Sequence, residues 1–186
     1  MVIIGGGDGS FDAARRLLKS LPSNFPAGML LHLTPAAIDK AGDPLQLLRP
    51  HSSLPLLFAS HGEAIPRNCV RIVPTGFTAE FGVDGKLNVE PLQEQRARPI
   101  DRLLKSGAAV FGRQLISVLL SGAGDDGTAG LRATKEAGGT SIVQSPSDSA
   151  NAGMPVHALI GDQPDRSALV QQIGPLLVQF AHRLAE

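Results

Sequence analysis

Two hydrophobic periods alternate along this chain. Residues 2–4, 27–33, 54–58, 70–73, 115–120 and 140–143 are short apolar runs, the pattern of strands buried on both faces, as in a parallel sheet. Helical spacing lies between them. Phe11, Ala14, Leu17, Leu18 and Leu21 fall on one face, while Arg15, Arg16 and Lys19 point outward. Asp8 or Ser10 is expected to cap this helix and Pro22 to end it. Further helices are predicted over residues 100–111, 128–137 (closed by Gly138-Gly139), 155–159 and 166–184. Residues 36–49 read as a short helical or irregular connection, 91–99 as a polar, basic loop and 144–153 as a Ser/Pro/Asn-rich loop. Val83-Asp84-Gly85 between residues 78–81 and 86–89 predicts an antiparallel hairpin, expected at one edge of the sheet. Alternating strands and helices predict an α/β fold, a doubly wound, mostly parallel sheet flanked by helices. With no repeat, linker or low-complexity tract, residues 1–186 read as one domain.

Composition narrows the function classes. Lys and Arg number 17 against 17 Asp and Glu, so bulk charge points to neither nucleic acid nor an acidic surface. The one cysteine, Cys69, excludes an internal disulfide framework and suits a reducing, cytoplasmic setting. Trp and Tyr are absent, which leaves little for stacking on bases. No apolar stretch approaches the ~20 residues of a membrane span, so no membrane insertion is expected. The start carries no signal-peptide pattern and enters a strand at once, as a short natural start or a piece of a longer chain would.

The chemistry gathers around residues 118–130. An apolar run stops at Gly122 and a helical pattern begins at Thr128. Gly122, Gly124 and Gly127 permit a sharp turn, and Asp125 or Asp126 can cap the following helix. In open α/β sheets, ligands sit beyond the carboxyl ends of the strands, which places one of these carboxylates where a catalytic acid would stand. The first glycine loop, residues 5–10, fits a dinucleotide site poorly. Ser10 stands where the fingerprint takes Gly or Ala, and the second strand ends without a carboxylate. A nucleophile turn would carry its serine at the bend, where Gly6 and Gly7 stand. If Leu33 faces the loop cluster, strand alternation turns His32 away. His51, His61, His157 and His182 occupy polar or turn-rich contexts. No spacing suits a metal, and no cofactor is implied.

Six segments together carry a resemblance: residues 3–7 (IIGGG), 31–35 (LHLTP), 71–76 (RIVPTG), 98–101 (RPID), 120–130 (LSGAGDDGTAG) and 153–155 (GMP). In this order and near this spacing, the chain resembles the catalytic domain of CheB-type chemotaxis protein-glutamate methylesterases. The resemblance implies a doubly wound α/β fold with an antiparallel hairpin. It also implies hydrolysis of glutamate methyl esters, with glutamine deamidation, on the cytoplasmic helices of chemoreceptors by a Ser-His-Asp set. Carried over, the acid is Asp126, the nucleophile position is Gly7, the base position is Leu33, and the methionine of the acid loop is Ala123. Glycine has no atom to attack an ester, and leucine cannot take a proton.

Two readings follow from that resemblance. In the first, the domain is catalytically impaired and works by binding a chemoreceptor helix or a receiver domain. In the second, it is an active ester hydrolase through a displaced Ser10/His32/Asp126 set, which requires a register slip that turns His32 inward. A third reading, without the resemblance, is a nucleotide- or small-molecule-binding module.

Overall fold

The computed structural model describes residues 1–34, 37, 42–93, 98–161 and 163–184. Its sheet contains β1 (Val2–Gly6), β2 (Gly28–Leu33), β3 (Leu56–Phe58), β4 (Cys69–Ile72), β7 (Ile116–Leu119), β8 (Thr140–Gln144) and β9 (Arg166–Ala168). All seven strands run parallel in the order β3-β4-β2-β1-β7-β8-β9. Six helices are described: α1 (Ser10–Lys19), α2 (Pro44–Leu48), α3 (Pro99–Phe111), α4 (Thr128–Glu136), α5 (Gly153–Gly161) and α6 (Val170–Arg183).

The period-2 alternation of the strands feeds two cores. Val2, Ile4, Leu31 and Leu33 pack with Leu17 and Leu18 of α1 and Ile173 and Leu177 of α6. Ile3, Leu30, Leu119 and Val143 point the other way, onto Ile100, Leu103 and Leu104 of α3, Leu131 of α4 and Met154 of α5. Each such buried side chain contributes roughly 1.5–3 kcal/mol relative to exposure. Helices α3 and α4 meet closely because position 130 is glycine: a Cβ there would lie 2.5 Å from Leu104 Cβ.

The predicted hairpin forms, as β5 (Phe77–Phe81) and β6 (Leu87–Pro91), in a two-stranded sheet of its own. Backbone bonds from Gly62 N–H to Leu87 O and from Leu87 N–H to Glu63 O tie it to the loop after edge strand β3. Phe81 meets Phe111 of α3 edge to face at 4.8 Å.

The helix expected over 155–159 is longer, spanning Gly153–Gly161, and two further features depart from the sequence expectation. The helix expected over 166–184 begins at Val170, because Arg166–Ala168 pairs with β8 as an edge strand. An Arg-Ser-Ala triplet has no strand pattern of its own, and the neighbouring strand recruits it. The residue at the N-cap of α1 is Gly9, in the left-handed region at φ 78°, rather than Asp8 or Ser10. Of the connection expected over 36–49, residues 36 and 38–41 lie outside the described residues, as do residues 94–97 of the basic loop.

Candidate functional site

Strand order reverses between β1, which continues to β2 on one side, and β7, which continues to β8 on the other. At such a switch point the loops leave in opposite directions and a crevice opens between them. Its lips are the loops after β1 and β7 and the start of α5. Strand ends leave backbone groups unpaired, and here the loops satisfy one another. Gly7 N–H donates to Ser121 O at 2.9 Å, Gly122 N–H to Asn151 O at 3.0 Å and Met154 N–H to Gly122 O at 2.7 Å. Ser121 Oγ donates to Asp8 O at 2.7 Å, and Ser121 N–H donates to the Gln144 side chain at 2.9 Å.

Gly7 is buried at the centre of these lips. A Cβ there would lie 3.2 Å from Gly122 Cα, 3.3 Å from Met154 Sδ and 3.6 Å from Thr34 Oγ1. Ser10 is the first residue of α1, fully buried, and its hydroxyl donates back to Gly7 O at 2.6 Å. His32 pairs with Gly5 in the sheet and is 2% exposed. Its neighbours Leu31 and Leu33 belong to the α1/α6 core, so alternation turns His32 toward α3. Its Nδ1 has no hydrogen-bond partner among the described residues. Burial pulls the imidazole pKa from 6.5 down to about 4, so the ring is neutral at pH 7. Of the other histidines, His51 is half-buried and His61, His157 and His182 are exposed.

Asp126 does not cap the helix that follows it. Its carboxylate accepts from Ile100 N–H at 3.1 Å and Asp101 N–H at 2.9 Å, so it caps α3. Asp101 returns the arrangement: it accepts from Gly127 N–H at 3.0 Å and Gly130 N–H at 2.8 Å, capping α4. The two helices thus exchange their caps. Arg98 joins them, donating from Nε to Asp101 at 2.6 Å and from Nη1 to both Asp125 oxygens at 3.0 Å. Burial pushes the Asp126 carboxyl pKa up and neighbouring Asp101 adds to it, while the two backbone N–H groups and Arg98 oppose the rise.

No hydrogen bond joins Ser10, His32 and Asp126 to one another among the described residues. Ser10 is spent on Gly7 O, Asp126 accepts the α3 amides, and Leu33 is sealed in the core. Proton relay to a nucleophile needs heavy-atom contacts of roughly 2.6–3.2 Å. The lips also carry polar side chains: Asn151 Nδ2 donates to Asp8 Oδ2 at 3.2 Å, and Gly153 N–H donates to Asn151 Oδ1 at 3.1 Å. Sequence reasoning missed the roles of Arg98 and Asp101. Both stand in a segment singled out for resemblance, but their partners lie 25–29 residues away, a pairing that no local pattern encodes. Among the described residues, no three His, Cys, Asp or Glu side chains converge as a metal set, and no helix is long and apolar enough to cross a membrane.

Known proteins share this fold. The crystal structure of the Thermotoga maritima CheB methylesterase catalytic domain superposes with a TM-score of 0.85 at 27% identity, covering 96% of each chain. A protein-glutamate methylesterase/protein-glutamine glutaminase of Myxococcus xanthus is 32% identical over 161 residues, 83% of this chain and 46% of that protein. Another, from Pseudomonas syringae pv. syringae, is 33% identical over 181 residues, 96% of this chain and 54% of the relative. The chain thus spans about half the length of the curated relatives it matches. The family model described as CheB methylesterase matches residues 2–177, nearly the whole fold described above, and the chain belongs to that family.

Proposed function

We propose that this domain has turned from ester cleavage to binding. In a cytoplasmic chemosensory pathway, it docks on the glutamate- and glutamine-bearing helices of a chemoreceptor or on a receiver domain, and it hydrolyses neither ester nor amide at a useful rate. The observation that carries the reading is Gly7 at the centre of a crevice whose one family carboxylate, Asp126, is engaged by two amides of α3. A methylesterase without its nucleophile retains only about 10³–10⁴-fold catalysis over water, from the oxyanion site and binding. The preserved scaffold keeps the receptor-facing surface while the chemistry is gone.

The test is methanol release from a methylated receptor fragment, run beside a binding measurement on the same fragment. Release at the background rate with saturable binding is the expected result. Turnover that disappears in Ser10→Ala, with covalent labelling of Ser10 by a serine-directed probe, would instead establish a working hydrolase through Ser10, His32 and Asp126.

A further inference from the structure

The sheet has an open edge at β9. This strand pairs with β8 on one side, and among the described residues no strand pairs with it on the other. Ser145 N–H donates to Ala168 O at 2.7 Å, so the backbone groups of Ala168 face β8 and alternation turns those of Ser167 outward. Beyond β9, Leu169 N–H is taken by the Gln172 side chain at 3.0 Å, and Leu169 O accepts Gln172 N–H. Of the three residues of β9, Ser167 alone thus offers an N–H and a C=O to an added strand. Two bonds hold little by themselves, so the surface beside the edge decides what can dock there.

That surface belongs to α6. Ser167, Gln171, Pro175, Leu176 and Gln179 line an open hollow of about 420 Å³. Gln171, Pro175 and Gln179 are exposed and recur at every fourth residue, as one stripe along the helix. Residues 167–181 hold no Asp, Glu, Lys or Arg, although charged residues make up 18% of the chain. Depletion of charge marks the core of an interface, and a charged partner would find no counter-charge here. A second copy needs none. A two-fold axis sets residues near it against their own copies, where a charge would be repelled and a primary amide, donor and acceptor at once, can pair. The backbone agrees with the side chains. In an antiparallel ladder, two opposite residues exchange both N–H···O bonds, and a two-fold axis at Ser167 makes that pair from Ser167 and its copy. Arg166 then stands opposite Ala168 of the second copy instead of a second arginine.

We propose that this edge joins two copies of the chain in an isologous dimer, β9 against β9, with the sheet continuing across the axis. The two α6 helices lie side by side on one face of that sheet, and their neutral stripes meet. The dimer stands apart from the crevice and does not depend on whether the crevice is silent.

The experiment is sedimentation of the whole chain over a range of concentrations. The mass should rise with concentration to that of two chains. Ser167→Pro removes an N–H that β8 does not use, a position where an edge strand tolerates proline. Pro175→Glu sets like charges across the axis and relieves a helix of its interior proline. Each should weaken the dimer about tenfold or more and keep the wild-type fold by circular dichroism. Pro175 is exposed, so its variant keeps the test alive should Ser167→Pro fold poorly. Ser167→Cys should cross-link to its copy through a short bifunctional thiol reagent, since paired Cα atoms lie about 5.5 Å apart and Cys69 is buried. The mass of one chain at every concentration, a dimer indifferent to Pro175→Glu, or a Ser167→Cys protein that dimerises without cross-linking would each overturn the proposal.

Discussion

His32 makes the fold sensitive to acid. Its folded pKa of about 4 lies below the ordinary 6.5, so the unfolded chain takes a proton in this window that the native chain refuses. The associated stability is therefore complete above about pH 6.5 and is lost as pH falls toward 4, a total of about 3 kcal/mol at ~1.4 kcal/mol per pH unit. Urea unfolding of wild type from pH 7 to 4 should show this decline, and His32→Leu should flatten it. An equally steep limb in the variant would assign the acid sensitivity elsewhere. Gly7 gives the complementary prediction. It is not in the left-handed region, and a Cβ there would press its neighbours by only tenths of an ångström. Gly7→Ser should fold, with a melting temperature lower by a few degrees at most. It should release no methanol above background, because no imidazole stands ready to activate the hydroxyl. Activity in the single variant would show that His32 can serve as the base.

At the scale of elements, α3 and α4 depend on each other's termini. The first amides of any helix lack partners, and both of these helices begin behind a residue that supplies no side-chain cap, Arg98 and Gly127. Removing Asp126 leaves two amides of a partly exposed terminus unpaired, and Asp126→Ala should cost about 1–2 kcal/mol. Asp101 is 2% exposed and serves Gly127, Gly130 and Arg98 together. Asp101→Ala should therefore cost more, about 3 kcal/mol. The double variant should lose less than the sum, since one interface is broken in either case. Denaturant midpoints of the four proteins measure this, and strict additivity would argue that the caps act separately. Most element boundaries were legible beforehand: the run over 115–120 and the helix after Thr128 needed only local periodicity. The exchange of caps was not, because a carboxylate next to a helix start looks like that helix's own cap until the neighbouring terminus is in place.

For the whole molecule, the decisive feature is that the sheet reverses between β1 and β7, which sets the first glycine loop against the loop after β7. The family scaffold persists across 96% of the Thermotoga catalytic domain, and in the proposed function the groups that cleave an ester do not follow it. This predicts a separable pair of properties: receptor-fragment binding that survives in Ser10→Ala and Asp126→Asn, and methanol release that is absent in all three proteins. Coupled loss of binding and turnover would contradict that separation.

Periodicity determined that this chain forms a layered α/β fold, since apolar runs must be covered on both faces whatever their order, and the Asp84-Gly85 turn determined its hairpin. The identities of Gly7 and Leu33 likewise underlie the proposal of a silent crevice, because no fold supplies a hydroxyl to glycine or a basic nitrogen to leucine. Only the tertiary structure decided where the remaining groups point. It turned His32 toward α3 without a partner for Nδ1, folded the Ser10 hydroxyl back on Gly7, and gave Asp126 to another helix's amides. The reason is physical. Burial and hydrogen-bond demand are set by neighbours brought together across many tens of residues, and a polar side chain goes to whichever unsatisfied group the packing places within reach.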